Sequence, residues 1–144
     1  MKNRKGNVIL IAVLLCASFV FAGLWIGEKR DHSELEDLCV SSAYRAYDRF
    51  SRYLDSGSAY DYAYGVAELE SFFNSYMSLV VLETGSTDPN CVYLNQLIGT
   101  LMDYPELTKH QKMMLVSISA GLKENIYDLN VYDDIFALYN ELTR

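Results

Sequence analysis

Residues 8–26 read VILIAVLLCASFVFAGLWI, from Val8 to Ile26, and follow a tail carrying Lys2, Arg4 and Lys5. The run is 19 residues long and holds no charged side chain. At the rise of an α-helix it reaches roughly 28 Å, close to the hydrocarbon thickness of a bilayer. The expectation is a transmembrane signal-anchor helix whose partner is the lipid bilayer, with Trp25 at the interfacial belt. The tail at 1–7 has three basic residues and no acid, whereas Glu28-Lys29-Arg30-Asp31 on the far side is balanced. The positive-inside tendency then puts the tail in the cytoplasm and the chain beyond a juxtamembrane hinge at 27–32 outside.

Other N-terminal readings compete with the anchor. Val20-Phe21-Ala22 before Gly23 fits a secretory cleavage site, after which the protein would be released. Apolar character continues through Leu24, Trp25 and Ile26, however, where a cleaved signal turns polar. Lys5-Gly6 ahead of an apolar helix resembles the leader of type IV pilin-like proteins over roughly the first 25 residues. That family usually carries a glutamate at the fifth position after the glycine, and Ile11 stands there. A lipoprotein signal fits less well, because Leu15 rather than a small residue precedes Cys16.

The remaining residues suffice for one domain with one core. All 19 acidic residues lie beyond residue 27 with nine of the twelve basic ones, which gives that part a net charge of −10. Between Arg52 and Lys109 there are eight acids and no Lys or Arg. Such a surface repels nucleic acid and anionic headgroups, so no nucleic-acid partner is expected.

Helical periodicity recurs along this part. At three- and four-residue spacing, Leu35, Cys39, Ala43, Ala46, Phe50 and Tyr53 align in a helix expected at 33–54. Tyr62, Val66, Leu69, Phe73, Tyr76 and Val80 align in one at 59–83, and Leu94, Leu97, Ile98 and Leu101 in one at 89–103. A helix at 109–128 aligns Leu115, Ile118, Leu122 and Ile126, with Leu129 beyond it. A last one at 131–142 aligns Val131, Ile135, Leu138, Tyr139 and Leu142. Ser33 with Glu36, Ser58 with Asp61 and Thr108 with Gln111 have capping-box spacing or a close variant of it. Asp88 before Pro89 reads as a cap followed by proline in the first turn, and Asn130 as the cap of the last helix. No segment alternates for long enough to be a strand. The expected fold is all-α: one transmembrane helix, then an up-and-down antiparallel bundle of four to five helices at 33–144.

Catalysis has no support in the residues. His32 and His110 lack a metal-ligand partner at helical spacing, and no phosphate-binding glycine loop is present. No enzymatic activity, cofactor or metal is expected. Cys39 and Cys91 either pair, closing a loop worth roughly 4 kcal/mol, or stand as separate buried thiols. The second reading is favoured because both fall on apolar helix faces.

The features that suggest binding lie on the second helix. Opposite its apolar stripe, Tyr60, Tyr64, Ala67, Ser71 and Ser75 form a face without charge. Small residues at every fourth position let another helix approach closely, and tyrosine favours interface hot spots. Either the helix is central and buried on both sides, or this face docks a protein partner or a second copy. Tyr44, Tyr47, Tyr53 and Tyr62 add to the aromatic crowding, which suits either a core margin or a ligand cleft. The functional expectation is a bacterial-type, membrane-anchored extracytoplasmic module of noncatalytic interaction or scaffold type. The alternative is a ligand-binding, sensor-like module acting through a membrane partner.

Overall fold

Among the described residues the chain forms five helices: α1 (Lys2–Ser56), α2 (Ala59–Thr84), α3 (Pro89–Met102), α4 (Lys109–Glu124) and α5 (Leu129–Leu142). The computed structural model describes residues 2–86, 88–103 and 105–144, and for 2–26, 28 and 30 the backbone alone. The apolar run at 8–26 therefore lies outside the described side chains. Among the described residues no helix is long and apolar enough to cross a membrane, and none of them is in a strand. The chain divides into two units, Met1–Glu34 and Leu35–Arg144. The first is helical from Lys2. The second holds the remainder of α1 and the other four helices.

Three of the expected caps form. The Ser58 hydroxyl accepts from the Asp61 N–H, Asp88 accepts from Asn90 N–H ahead of Pro89, and Thr108 and Gln111 close a reciprocal capping box. Gly57 and Gly85 take left-handed φ values of 68° just past α1 and α2, where a side chain would be strained. Ser33 lies inside α1 and caps nothing. The last cap is Asp128 rather than Asn130, with the Asp128 carboxylate accepting from the Asn130 N–H at 3.0 Å. α4 also stops at Glu124, short of 128, because the Asn125 side chain captures the Tyr127 N–H at 3.0 Å and turns the backbone out of the helix. Ile126 is nonetheless buried, whereas Leu129 is exposed.

The helices of the second unit share one core. Cys39, Ala43, Ala46 and Phe50 enter it from α1, and Leu69, Phe72 and Leu79 from α2. α3 adds Leu94, Leu97 and Leu101, α4 adds Leu115, Ile118 and Leu122, and α5 adds Ile135 and Leu138. Phe72 rather than Phe73 is the fully buried ring of α2, because α2 packs on α1 along one flank and on α3 along the other.

Cross-helix contacts fix the directions. Ser42 meets Ser71, Arg45 meets Glu68 and Arg49 meets Asp61, so α1 and α2 are antiparallel. Tyr62 at the start of α2 donates to the Leu101 carbonyl at the end of α3 at 2.8 Å, which makes that pair antiparallel too. Lys112 lies over the Tyr53 ring and Lys123 over the Tyr47 ring, each 4.3 Å from the centroid, so α4 runs antiparallel to α1. α5 packs against both α3 and α4. It is antiparallel to α4 and therefore parallel to α3. Chain direction thus alternates as expected, but α3 and α5 are side-by-side neighbours of the same sense.

Two helical glycines exist for close approach. A Cβ at Gly65 would stand 2.6 Å from the Phe50 ring, and one at Gly121 would collide with Val131. Gly99, by contrast, has open space around it. Replacing Gly65 by alanine forces the buried Phe50 ring to move, an overpacking cost of ~1–3 kcal/mol that exceeds the helix-propensity gain of up to ~1 kcal/mol. Gly99→Ala meets no such cost and keeps the gain. Chemical denaturation is expected to rank the chains Gly99→Ala, then the original, then Gly65→Ala.

Candidate functional site

Tyr60 and Tyr64 stand one turn apart near the start of α2, which Ser58 caps. Their ring centroids are 4.4 Å apart, and their exposures are 58% and 46%. Arg49 of α1 reaches over both, its guanidinium carbon 5.6 Å from the Tyr60 centroid and 5.3 Å from that of Tyr64. The Arg49 side chain also donates to Asp61 Oδ1 at 3.1 Å. That bond, with Asp61 charge beside it, holds the guanidinium above its usual pKa. The Tyr60 phenol is raised as well, first by its hydrogen bond with Tyr64. The result is a planar cation clamped by a carboxylate against two exposed rings, on adjacent helices whose register is fixed below.

The five residues expected to form one uncharged face on α2 divide between two tasks. Tyr60, Tyr64 and Ala67 are exposed. Ser71 is half-buried against α1, with its hydroxyl 3.2 Å from that of buried Ser42, and Ser75 is half-buried as well. The small-residue ridge therefore serves, at Ser71, to bring α1 and α2 together, and the aromatic end of the face is left open. Arg45 and Arg49 pair with the acids of α2, and Arg52 with Asp48 one turn earlier at 2.9 Å.

The other tyrosines are placed differently from one another. Tyr62 is buried with its hydroxyl on the Leu101 carbonyl, and Tyr132 is buried with its hydroxyl on the Ile126 carbonyl. Tyr76 stacks between Phe72 and Tyr132. Tyr47 and Tyr53 lie under lysines of α4. A groove of about 490 Å³ does open along α1, lined by Glu36, Asp37, Val40, Ser41, Tyr44, Arg45 and Lys123. A second, of about 240 Å³, lies where Tyr127 donates to Glu83 at 3.0 Å near Asp88. Among the described residues no group of His, Cys, Asp or Glu is placed to hold a metal. His110 lies 3.9 Å from Glu141 on an exposed surface.

One surface has no counterpart in the sequence reading. α3, PNCVYLNQLIGTLM, contains no charged residue, yet Val92, Tyr93, Asn95, Gln96, Gly99 and Met102 are all exposed. A groove of about 280 Å³ runs between this face and α2, lined by Phe73, Met77, Cys91, Val92, Asn95 and Gln96. The signal was present as a stretch without charge between Asp88 and Asp103.

Compared with protein-family models, curated proteins and solved structures, the chain matches none of them.

Cys39 and Cys91 are both free and buried. Burial, with Glu36 nearby, pushes the Cys39 thiol up to about 12, and burial with Asp88 nearby raises Cys91. Burial is also the leading cause of the raised phenols of Tyr76, Tyr127 and Tyr132. A raised pKa in the folded state means that the unfolded chain loses its proton first. The corresponding stability is complete below the unfolded value and is lost as pH climbs through the folded one. Denaturant midpoints are therefore expected to fall as pH rises from about 9 toward about 12, and less steeply in Cys39→Ala. Native protein should resist thiol reagents that label both cysteines at once after unfolding.

Proposed function

We propose that this chain is a membrane-anchored, extracytoplasmic interaction module without catalytic activity, which docks a protein partner on the Tyr60–Tyr64–Arg49 cluster. The observation that carries the reading is the exposure of that cluster. Tyrosine and arginine are enriched among interface hot spots, and here both kinds are held in place before any partner arrives. Arg49 is fixed by Asp61 and the rings are fixed by each other, so little side-chain freedom remains to be lost on binding.

The anchor reading rests on the charge-free run at 8–26 and its basic tail. Tethering would confine the module near membrane partners and raise its effective concentration there. The tyrosine placement supports docking over a sensor role. Tyr62 and Tyr47 are engaged within the helices, and Tyr64 stands at the surface rather than in a cleft.

A photoreactive phenylalanine in place of Tyr64 is expected to give a light-dependent adduct in intact cells. Tyr60→Ala and Arg49→Glu should each weaken it by more than about tenfold, the range of a hot-spot truncation, with helicity unchanged. No adduct above background would remove the docking assignment. Mass measurement of the native N-terminus tests the tether: the chain should keep residues 8–26, and a start after Ala22 would make it a released module.

A further inference from the structure

We propose that Tyr60 and Tyr64 are an oxidative modification site, at which a one-electron oxidant of the haem peroxidase class, supplied with hydrogen peroxide, joins the two rings as dityrosine. Four tyrosine–tyrosine contacts occur among the described residues, and geometry separates this pair from the rest. The ring centroids of Tyr53–Tyr62, Tyr76–Tyr132 and Tyr76–Tyr127 stand 5.0, 5.8 and 6.3 Å apart, and each of these pairs contains a buried ring. Hydroxyls in them are also committed elsewhere, Tyr62 to the Leu101 carbonyl, Tyr132 to the Ile126 carbonyl and Tyr127 to Glu83. Tyr60 and Tyr64 stand at 4.4 Å, closer than aromatic pairs usually do, and both are exposed. An oxidant too large to enter the core therefore reaches both members of this pair and of no other. Two further exposed tyrosines have no phenol beside them in these contacts: Tyr93 faces Phe136, and Tyr44 meets Lys123.

The chemistry balances with one peroxide for each bond. Each phenol gives up one electron and its hydroxyl proton, which leaves two neutral phenoxyl radicals. Their unpaired spin lies on the oxygen and on the ring carbons ortho and para to it. The para carbon already carries Cβ, so coupling occurs at Cε, and a carbon–carbon bond forms between a Cε of Tyr60 and a Cε of Tyr64. The hydrogen on each coupled carbon then moves as a proton, through water, to the oxygen of its own ring, which restores both phenols. The peroxide takes up the two electrons and two protons and leaves as two waters, and the chain is lighter by two hydrogens. Holding the two radicals on one helix replaces a bimolecular encounter by an intramolecular one. Arg49 lies over both rings, 5.6 and 5.3 Å from their centroids, and keeps them on the same side of α2. Coupling between copies is slower, because chains with a net charge of −7 repel one another. None of this requires a docking partner, since both reacting groups belong to one helix. The bond ties residue 60 to residue 64 just after the Ser58 cap and makes the two rings one covalent plate beside Arg49.

The test treats the full-length chain, in detergent at low concentration, with a haem peroxidase and limiting hydrogen peroxide. The blue fluorescence of dityrosine should appear while the product still migrates as a single chain on a denaturing gel. Digestion on the N-terminal side of aspartate cuts between Tyr60 and Asp61. The fragment from Asp55 to Tyr60 should then be found joined to the one that begins at Asp61, at the summed mass less two hydrogens, with the link assigned to Tyr64 by fragmentation. Tyr60→Phe and Tyr64→Phe keep the rings but remove the phenols, and each should abolish the fluorescence with circular dichroism unchanged. Tyr53→Phe and Tyr127→Phe should leave it intact. Fluorescence that survives both Tyr60→Phe and Tyr64→Phe, a link to Tyr62 in place of Tyr64, a product found mainly as cross-linked dimers, or no dityrosine at all would each overturn the proposal.

Discussion

The close approach of α1 and α2 is the constraint on which the candidate site depends. Ser42 on one helix and Gly65 and Ser71 on the other keep side chains small where the two helices meet. Phe50 fills the space that Gly65 leaves. Close approach then brings Arg45 within 2.8 Å of Glu68 and Arg49 within 3.1 Å of Asp61. These pairs are at least partly open to water and add little stability. Their importance is geometric: they set the register that lays Arg49 over Tyr60 and Tyr64. A bulkier α1–α2 interface would move the guanidinium off the rings without touching any of the three residues.

Tyrosine takes distinct roles because each ring has one apolar body and one polar tip. Where a backbone carbonyl is left open near the core, the tip satisfies it, as Tyr62 does at Leu101 and Tyr132 at Ile126. Leu101 lies in the last turn of α3, where carbonyls lack an intrahelical donor. Ile126 lies in the loop after α4, where the turn at Asn125 has ended the helix. Where a lysine of α4 crosses α1, the ring face serves instead, at Tyr47 and Tyr53. Among the described residues, only at the start of α2 are two rings exposed together with a cation already on them, which separates this pair from the tyrosines with structural roles.

Much of this was legible from residue order, for physical reasons that can be named. Helix starts were readable where a hydroxyl or carboxylate stands at the right distance from the N–H it accepts, as at Ser58, Asp88 and Thr108. The misplaced start at Asn130 came from a competition that spacing cannot rank, since Asp128 and Asn130 are both good caps. Phe72 was missed because a one-stripe template fits a helix with one buried flank, and α2 has two. The division of the α2 face was hidden for the same reason: Ser71 and Tyr64 are alike in lacking charge, and only the position of α1 tells a packed small residue from an open aromatic one. The α3 face was overlooked because its apolar stripe is regular, and the lack of charge on its other side is visible only when exposure is known.

Charge organises the second unit as much as hydrophobicity does. Three of its four arginines, Arg45, Arg49 and Arg52, gather on one flank of α1, where Arg45 and Arg49 pair with acids of α2. Two of the three lysines on α4, Lys112 and Lys123, lie over tyrosines. The outcome is a surface mostly negative by excess, interrupted by a clamped Arg–Tyr cluster on α1 and α2 and an uncharged face on α3. These two interruptions differ in what they can attract. The cluster offers a cation and π-faces, and favours a partner with carboxylates or aromatic groups to place against them. The α3 face offers shape and amides without charge.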